Sequence, residues 1–131
     1  MKRTALLHAE LSAAIARLGH GDLLVIADAG LPIPDGLLRI DLALCAHVPR
    51  FQDVLAAVLS EMQVESAVVA HELAPNNPRI DGELRRQLGA TPVATLSHEE
   101  FKTLTRHARA IVRSGEFSPY ANVILRAGVV F

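Results

Sequence analysis

An unbroken run of five apolar residues, Leu23 to Ala27, constrains the fold of this chain more than any other feature. A short run without polar positions is typical of a strand that is buried on both faces, as in a parallel sheet. Other apolar runs alternate with segments of helical spacing, such as Leu11, Ile15 and Leu18. Strands and helices in alternation predict an α/β layered fold. We expect a three-layer domain with a mainly parallel central sheet flanked by helices.

Local signals place the ends of the predicted helices. Gly19 is expected to stop the first helix in the left-handed conformation, and Asn77 is expected to cap the helix that begins at Pro78. Ser97 and Glu100 have the spacing of a capping box, which indicates a further helix N-terminus. The predicted strands are residues 23–27, 39–44, 64–70, 92–96, 110–113 and 122–125.

Length and charge limit the classes of function. A chain of 131 residues predicts a single domain, residues 1–131. The 13 Lys and Arg residues nearly balance the 14 Asp and Glu residues, so we expect neither a nucleic-acid nor a membrane partner. Glu10 and Arg17 interrupt the apolar stretch behind the basic N-terminus, which argues against a signal peptide, and the lone Cys45 cannot form an internal disulfide. A cytoplasmic protein is therefore expected.

Common cofactor and catalytic motifs are absent from the sequence. It contains no GxxxxGK[ST], GxGxxG, CxxC, HExxH or GxSxG pattern. ATP hydrolysis, dinucleotide chemistry and zinc proteolysis therefore lose their usual sequence support. His20, Asp28 and His98 have side chains that can ligate a metal, but three separated residues are weak evidence for a site. We expect neither a metal nor another cofactor.

Two candidate residues follow predicted strands, where ligands of parallel sheets collect. Asp28 comes directly after the run 23–27, and its carboxylate is suited to bind ligand hydroxyls or to orient His20. The alternative for Asp28 is a purely local Asx turn. His98 lies near the end of another strand and is either a ligand contact or a solvated histidine in the first turn of a helix.

A histidine between two glycines is the leading candidate for proton transfer. His20 lies between Gly19 and Gly21, which allow a ligand to approach the backbone closely. Histidine can give or take a proton near neutral pH, although His20 could instead cap the end of the first helix. Tyr120 and Asn122 add a phenol and an amide before the last strand, unless Tyr120 is only an interfacial tyrosine.

Six stretches carry a resemblance that extends over essentially the whole chain. They are Leu18-Gly19-His20-Gly21-Asp22, Asp28-Ala29-Gly30-Leu31-Pro32-Ile33-Pro34, Arg39-Ile40-Asp41-Leu42-Ala43-Leu44, Glu61-Met62-Gln63-Val64-Glu65, Arg113-Ser114-Gly115-Glu116-Phe117-Ser118-Pro119-Tyr120-Ala121-Asn122 and Ala127-Gly128-Val129. In this order and spacing they resemble the ribose/fucose mutarotase family, and more closely its ribose branch. The chain departs from that branch at His47, where glycine is common, and at Val130, where threonine is common.

The resemblance implies a reaction and a set of roles. It implies interconversion of β-D-ribopyranose and β-D-ribofuranose in the cytoplasm, by ring opening and reclosure without a cofactor. D-Ribose is the implied small-molecule partner, and the implied assembly is a homo-oligomer, a decamer of stacked pentameric rings. By resemblance His20 is the proton donor, and the sugar-binding positions are Asp28, His98, Tyr120, Ala121 and Asn122.

Two other functions stay open on the sequence. The first is mutarotation of L-fucose or another aldose, and the second is a non-catalytic, ribose-binding accessory role beside a transporter. The chain also ends in a strongly apolar stretch, from Val123 to Phe131. Because large exposed apolar patches mark interaction sites, we expect this stretch to lie at or near a subunit contact.

Overall fold

Six strands and five helices make up the fold in the computed structural model, which describes residues 1–131. None of the helices has the length and hydropathy that crossing a lipid bilayer requires. In chain order the elements are α1 Ala9–Ala16, β1 Leu23–Ala27, β2 Leu38–Asp41, α2 Phe51–Leu59, β3 Val64–Ala70, α3 Leu73–Asn76, α4 Pro78–Leu88, β4 Val93–Leu96, α5 His98–Thr105, β5 Ala110–Arg113 and β6 Val123–Ala127.

All six strands belong to one sheet, in the order β2-β5-β1-β6-β3-β4. The β2–β5, β5–β1 and β3–β4 pairs are parallel, whereas β6 is antiparallel to both of its neighbours, β1 and β3. Five strands therefore point the same way and β6 runs against them. This topology confirms the prediction of a mainly parallel sheet, and it places the start of β6 beside the end of β1.

Strand β1 shows why the sheet has a helical layer on each face. Leu24 and Ile26 join the larger apolar cluster, to which α1, α2 and α4 contribute, while Leu23, Val25 and Ala27 join a smaller cluster with α5. All five side chains of β1 are buried. Burial of an aliphatic side chain contributes roughly 1.5–3 kcal/mol, so an unbroken apolar run is what a two-faced central strand requires. The three-layer prediction is confirmed.

The first helix ends differently from the expectation. Helix α1 stops at Ala16, and Arg17 follows as its C-terminal cap in a right-handed conformation. Gly19 has no positive φ, and the left-handed residue of this turn is Gly21, with φ of 84°. The prediction that Gly19 stops the helix in the left-handed conformation is therefore wrong.

The two predicted helix starts have different outcomes. The capping box of α5 is confirmed, because Ser97 Oγ accepts from the Glu100 amide and the Glu100 carboxylate accepts from the Ser97 amide. Asn77 does precede α4, but its side chain makes no capping hydrogen bond. Instead Asn77 Nδ2 donates to Ser118 Oγ and to the Pro119 carbonyl, each at 2.9 Å. Asn77 thus fixes the segment that leads into β6.

Candidate active site

Polar residues from four elements meet at the carboxyl edge of the sheet, the edge at which the parallel strands end. Asp28 follows β1, Glu72 follows β3, and His98 follows β4 by two residues. Asn122 precedes β6, and the antiparallel direction of β6 brings Asn122 to this same edge. The structure therefore confirms that Asp28 and His98 follow strands that end at one edge, and it adds the segment before β6.

Asp28 is held by the backbone of its own loop and by Asn122. Its Oδ1 accepts from the Gly30 amide at 2.9 Å and from the Leu31 amide at 2.8 Å. Asn122, which is buried, accepts from the Asp28 amide with Oδ1 at 2.7 Å and donates with Nδ2 to Asp28 Oδ2 at 3.0 Å. The Asx-turn alternative is thus correct, but it does not use the whole carboxylate. A carboxylate has about four acceptor sites, of which these contacts fill three.

The environment of Asp28 shifts the pKa of its carboxyl group. Burial is the largest effect and raises the pKa of the Asp28 carboxyl above its ordinary value of 3.8. Hydrogen bonds from Gly30, Asn122 and Leu31, together with the charge of His98, oppose this rise without cancelling it. The raised pKa makes Asp28 a better proton acceptor than an exposed aspartate.

His98 offers an unused ring nitrogen beside this carboxylate. Its backbone amide donates to both carboxylate oxygens of Glu72, at 3.0 and 3.2 Å, which fixes the start of α5. The ring packs edge-on against Tyr120, with centroids 5.1 Å apart and an interplanar angle of 83°. His98 Nδ1 is buried and has no hydrogen-bond partner. Since buried polar atoms are normally paired, Nδ1 is available for a ligand or a water.

The backbone around Tyr120 is specialised. Tyr120 has φ of 57°, a left-handed conformation that few non-glycine residues adopt, and its carbonyl accepts from the Asn122 amide at 2.8 Å. Its side chain is half-buried, as the interfacial alternative expected. The side chain of Ala121 is fully buried in the larger apolar cluster. Because the whole residue is 0% exposed, Ala121 supports the segment between Tyr120 and Asn122 from below.

A cavity of about 420 Å³ opens beside Asp28, and the sequence reasoning did not single out most of its lining. Arg113 is one of the residues missed. Its guanidinium donates through Nη1 to both oxygens of Asp41, at 3.1 and 3.2 Å, and through Nε to the Ala29 carbonyl at 3.0 Å. The position of Arg113 at the end of the predicted strand 110–113 was the available signal. Because Asp41 balances its charge, Arg113 does not make this cavity strongly cationic.

Glu116 is the other lining residue that was missed, and it ties the cavity to α2. Its side chain is only 1% exposed. The carboxylate accepts from Ser118 Oγ at 2.7 Å and from the Phe51 amide, the first of α2, at 3.1 Å, and it lies 3.3 Å from His47 Nδ1. Burial raises the pKa of Glu116, but the hydrogen bonds from Ser118 and Phe51 and the charge of His47 outweigh it and leave the pKa lowered. Glu116 thus acts as an ionised structural anchor.

His20 lies at the opposite, amino edge of the sheet. The amide of Gly21, the next residue, donates to the Ala127 carbonyl at the end of β6, at 2.8 Å. The His20 ring is 61% exposed, and its Nε2 lies 2.7 Å from Glu65 Oε2, near the start of β3. Strand β1 separates His20 from Asp28, and its five residues span about 13 Å.

This placement decides three possibilities that the sequence raised. Asp28 cannot orient His20 within one chain, because the two lie at opposite ends of β1. His20, Asp28 and His98 do not form one metal-ligand set within a chain, for the same reason. His20 does not cap α1, which ends at Ala16, and its ring contacts Glu65 instead. The sequence order already implied this separation, because the predicted strand 23–27 lies between His20 and Asp28.

The C-terminal residues lie beyond the amino edge. Val123, Ile124 and Leu125 are buried within their own sheet, so the expected subunit contact cannot extend over the whole of residues 123–131. The exposed residues of the stretch are Arg126 and the last three, with Val130 86% and Phe131 100% exposed. The apolar tail therefore projects from the edge that carries His20.

Known proteins resemble this chain over its full length. Residues 1–130 match the model of the RbsD / FucU transport protein family. A D-ribose pyranase of Paracidovorax citrulli is 68% identical, with all of both chains covered. The structure of Bacillus subtilis RbsD complexed with D-ribose matches with a TM-score of 0.97 and 48% identity, again over all of both chains. The fucose mutarotase of Streptococcus pneumoniae in complex with L-fucose matches with a TM-score of 0.83 and 28% identity, over all of both chains. The chain belongs to the RbsD / FucU transport protein family.

Proposed function

We propose that this chain is a D-ribose pyranase, an isomerase that interconverts β-D-ribopyranose and β-D-ribofuranose. The observation that carries the proposal is the close structural match, over the whole chain, to a relative solved with D-ribose. Curated relatives of matching length have the name D-ribose pyranase. We further propose that residues 1–131 form a single sugar mutarotase domain and that it acts in the cytoplasm.

The carboxyl edge has the chemistry to bind an uncharged sugar. Asp28 has about one acceptor site left for a hydroxyl, and the Tyr120 hydroxyl and His98 Nδ1 add groups that donate or accept. Asn122 holds the carboxylate in place, and the buried Ala121 supports the segment that carries Tyr120 and Asn122. The one guanidinium of the cavity, Arg113, is paired with Asp41, so the site lacks the free cationic cluster that a sugar phosphate requires.

A change of ring size requires two proton transfers to open the ring, and the same two in reverse, at a different hydroxyl, to close it. The ring oxygen gains a proton while the anomeric hydroxyl loses one, and the open aldehyde then closes through a different hydroxyl. We assign the donor role to His20, because imidazole both gives and accepts protons near neutral pH. General acid–base catalysis contributes typically ~10²–10⁴-fold, which suits a ring exchange that already occurs without catalyst. No cofactor is needed for this step.

The proposed donor requires a second copy of the chain. His20 and the sugar-binding positions lie at opposite edges of one sheet, so His20 of one copy must meet Asp28 of another. Such a head-to-tail contact closes into a ring when the rotation permits. Apolar side chains are exposed at both edges, Leu44 and Phe117 at the carboxyl edge and Phe131 at the amino edge. We propose a homo-oligomer of this kind, a decamer of two stacked pentameric rings.

Saturation-transfer NMR on D-ribose tests the proposal. With the β-pyranose anomeric proton saturated, the wild-type chain is expected to transfer saturation to the β-furanose signal far faster than buffer does. His20→Ala is expected to remove nearly all of this acceleration while ribose still binds, because the binding positions are unchanged. His107→Ala, at another exposed histidine, is the control and should behave as wild type. Wild-type protein without acceleration would refute the function, and an active His20→Ala variant would refute the role of His20.

The fold match to a fucose mutarotase supports L-fucose as a second candidate substrate. The same experiment with L-fucose compares the two sugars directly, and we expect the larger rate enhancement for D-ribose because the relatives named for ribose are the more similar ones. The family description as transport proteins supports a non-catalytic accessory role. That alternative predicts saturable ribose binding with no acceleration of exchange.

A further inference from the structure

Glu65 occupies a bulge at the amino edge. Val64 is in register with Ala127 of β6 and Ser66 is in register with Arg126, so Glu65 is an extra residue without a partner in β6. A bulge of this kind bends the strand locally and redirects a side chain. Here the redirected carboxylate meets the ring of His20, with 2.7 Å between Oε2 and Nε2.

Gly128 leaves the space that Glu65 occupies. A Cβ atom at Gly128 would lie 3.1 Å from Glu65 Cβ and 3.4 Å from the Glu65 amide nitrogen, closer than most real Cβ contacts. The Gly128 amide donates to the Gln63 carbonyl at 2.9 Å, which fixes the chain beside the bulge. On the other side, the Gly21 amide donates to the Ala127 carbonyl and anchors the turn that carries His20. The turn of His20 and the bulge of Glu65 are thus held by two adjacent residues, Ala127 and Gly128, at the end of β6.

We propose that Glu65 is the positioning residue of His20, an inference that rests on the proposed function of His20. The Glu65 carboxylate can only accept, so the neutral imidazole must donate its Nε2–H to it. This selects the tautomer in which Nδ1 has the free lone pair, and it limits rotation of the ring. Nδ1 is then the atom that exchanges a proton with the sugar: it donates when both ring nitrogens are protonated and accepts when the ring is neutral. Glu65 contacts the substrate only through His20.

Two substitutions separate this role from a general effect on folding. Glu65→Gln keeps an acceptor oxygen for Nε2–H, whereas Glu65→Leu has similar volume and no acceptor. We expect kcat for ribose exchange to fall by about tenfold or more in Glu65→Leu and clearly less in Glu65→Gln, with KM within about twofold in both, because only proton transfer is affected. Glu10→Gln, at an exposed glutamate of α1, is the control and should leave kcat unchanged.

The tautomer of His20 provides a readout that is independent of catalysis. In ¹⁵N-labelled protein the neutral His20 ring is expected to be protonated mainly at Nε2 in the wild type and in Glu65→Gln, and to be a mixture of tautomers in Glu65→Leu. An unchanged kcat or an unchanged tautomer population in Glu65→Leu would overturn the inference. If the wild type fails to accelerate ribose exchange, the proposed function fails, and the tautomer still decides whether Glu65 positions the ring.

Discussion

Asp28 and Asn122 hold each other by two hydrogen bonds, although 94 residues separate them in the sequence. One bond runs from the Asp28 amide to Asn122 Oδ1, and the other returns from Asn122 Nδ2 to Asp28 Oδ2. The end of β1 is thereby locked to the start of β6, its antiparallel neighbour. The orientation of the candidate sugar-binding carboxylate therefore depends on an element near the C-terminus.

Removal of the side-chain amide of Asn122 is expected to affect both the stability of the fold and the binding of ribose. Asn122→Ala leaves the Asp28 backbone amide without its partner, which should reduce the free energy of unfolding by about 1–3 kcal/mol. The ribose Kd should rise by about tenfold because the carboxylate loses its orientation. Urea unfolding and calorimetric titration measure the two effects. Asn76→Ala, at an exposed asparagine whose amide bonds only a carbonyl in its own helix, is the control. Equal losses in both variants would contradict this account.

The raised pKa of Asp28 predicts a specific pH dependence. A group with a raised pKa in the folded state contributes stability that is present below its unfolded pKa and is lost as pH rises through the folded value. Asp28 is therefore expected to titrate above 3.8, and ribose binding should weaken from that higher pH downward as the acceptor is protonated. The carboxyl ¹³C shift reports the titration. In Asn122→Ala the pKa should rise further, because a hydrogen bond that lowers it is lost, and a fall would contradict the assignment.

Glu116 is expected to matter for stability more than any exposed glutamate. Glu116→Ala leaves the Phe51 amide and the hydroxyl hydrogen of Ser118 without an acceptor, which should cost about 2–3 kcal/mol or more. Because its pKa is lowered, the contribution of Glu116 is present above its ordinary value of 4.5 and is lost as pH falls. Urea unfolding at several pH values should show a difference between wild type and variant that shrinks in acid. Glu10→Ala is the control, and a Glu116→Ala variant as stable as this control would disprove the anchoring role.

His47 is expected to carry backbone strain, since its φ is 62°. His47→Gly and His47→Ala both remove the imidazole beside Glu116, but only glycine adopts this conformation freely. The Gly variant should therefore be more stable than the Ala variant by roughly 1 kcal/mol, as thermal or urea unfolding would show. Equal stability of the two variants would mean that the backbone is not strained. The left-handed conformation also means that glycine would fit this position without strain.

The sequence predicted the strands best where burial decides them. The apolar runs of β1 and β5 have the predicted bounds because both faces of these strands are covered, and β3 also has its predicted bounds although it includes the exposed Glu65. Strand β2 is shorter than predicted, Leu38–Asp41, because its alternating pattern continues into a loop. Gly19 was misassigned because either glycine beside His20 can adopt a left-handed conformation, and sequence does not choose between them.

The structure brings together some of the candidate residues that the sequence suggested, and it separates His20 from them. Asp28, His98 and Tyr120 do assemble, since strand ends and the segment before β6 share one edge. His20 precedes the strand 23–27 and Asp28 follows it, so the opposite placement of the two residues could have been predicted from the sequence. The contact with Glu65 depends on a one-residue bulge, which no signal in the sequence marks.

Mixed assemblies of two inactive variants test the central claim most directly. His20→Ala lacks the proposed donor and Asp28→Asn lacks the sugar-binding carboxylate, so each alone should fail to accelerate ribose exchange in saturation-transfer NMR. When the two chains are co-expressed in equal amounts, random assembly should give about a quarter of the sites an intact His20 from one copy and an intact Asp28 from its neighbour, with a matching share of wild-type activity. Mixed assemblies that stay as inactive as the separate variants would contradict a site shared between copies of this chain.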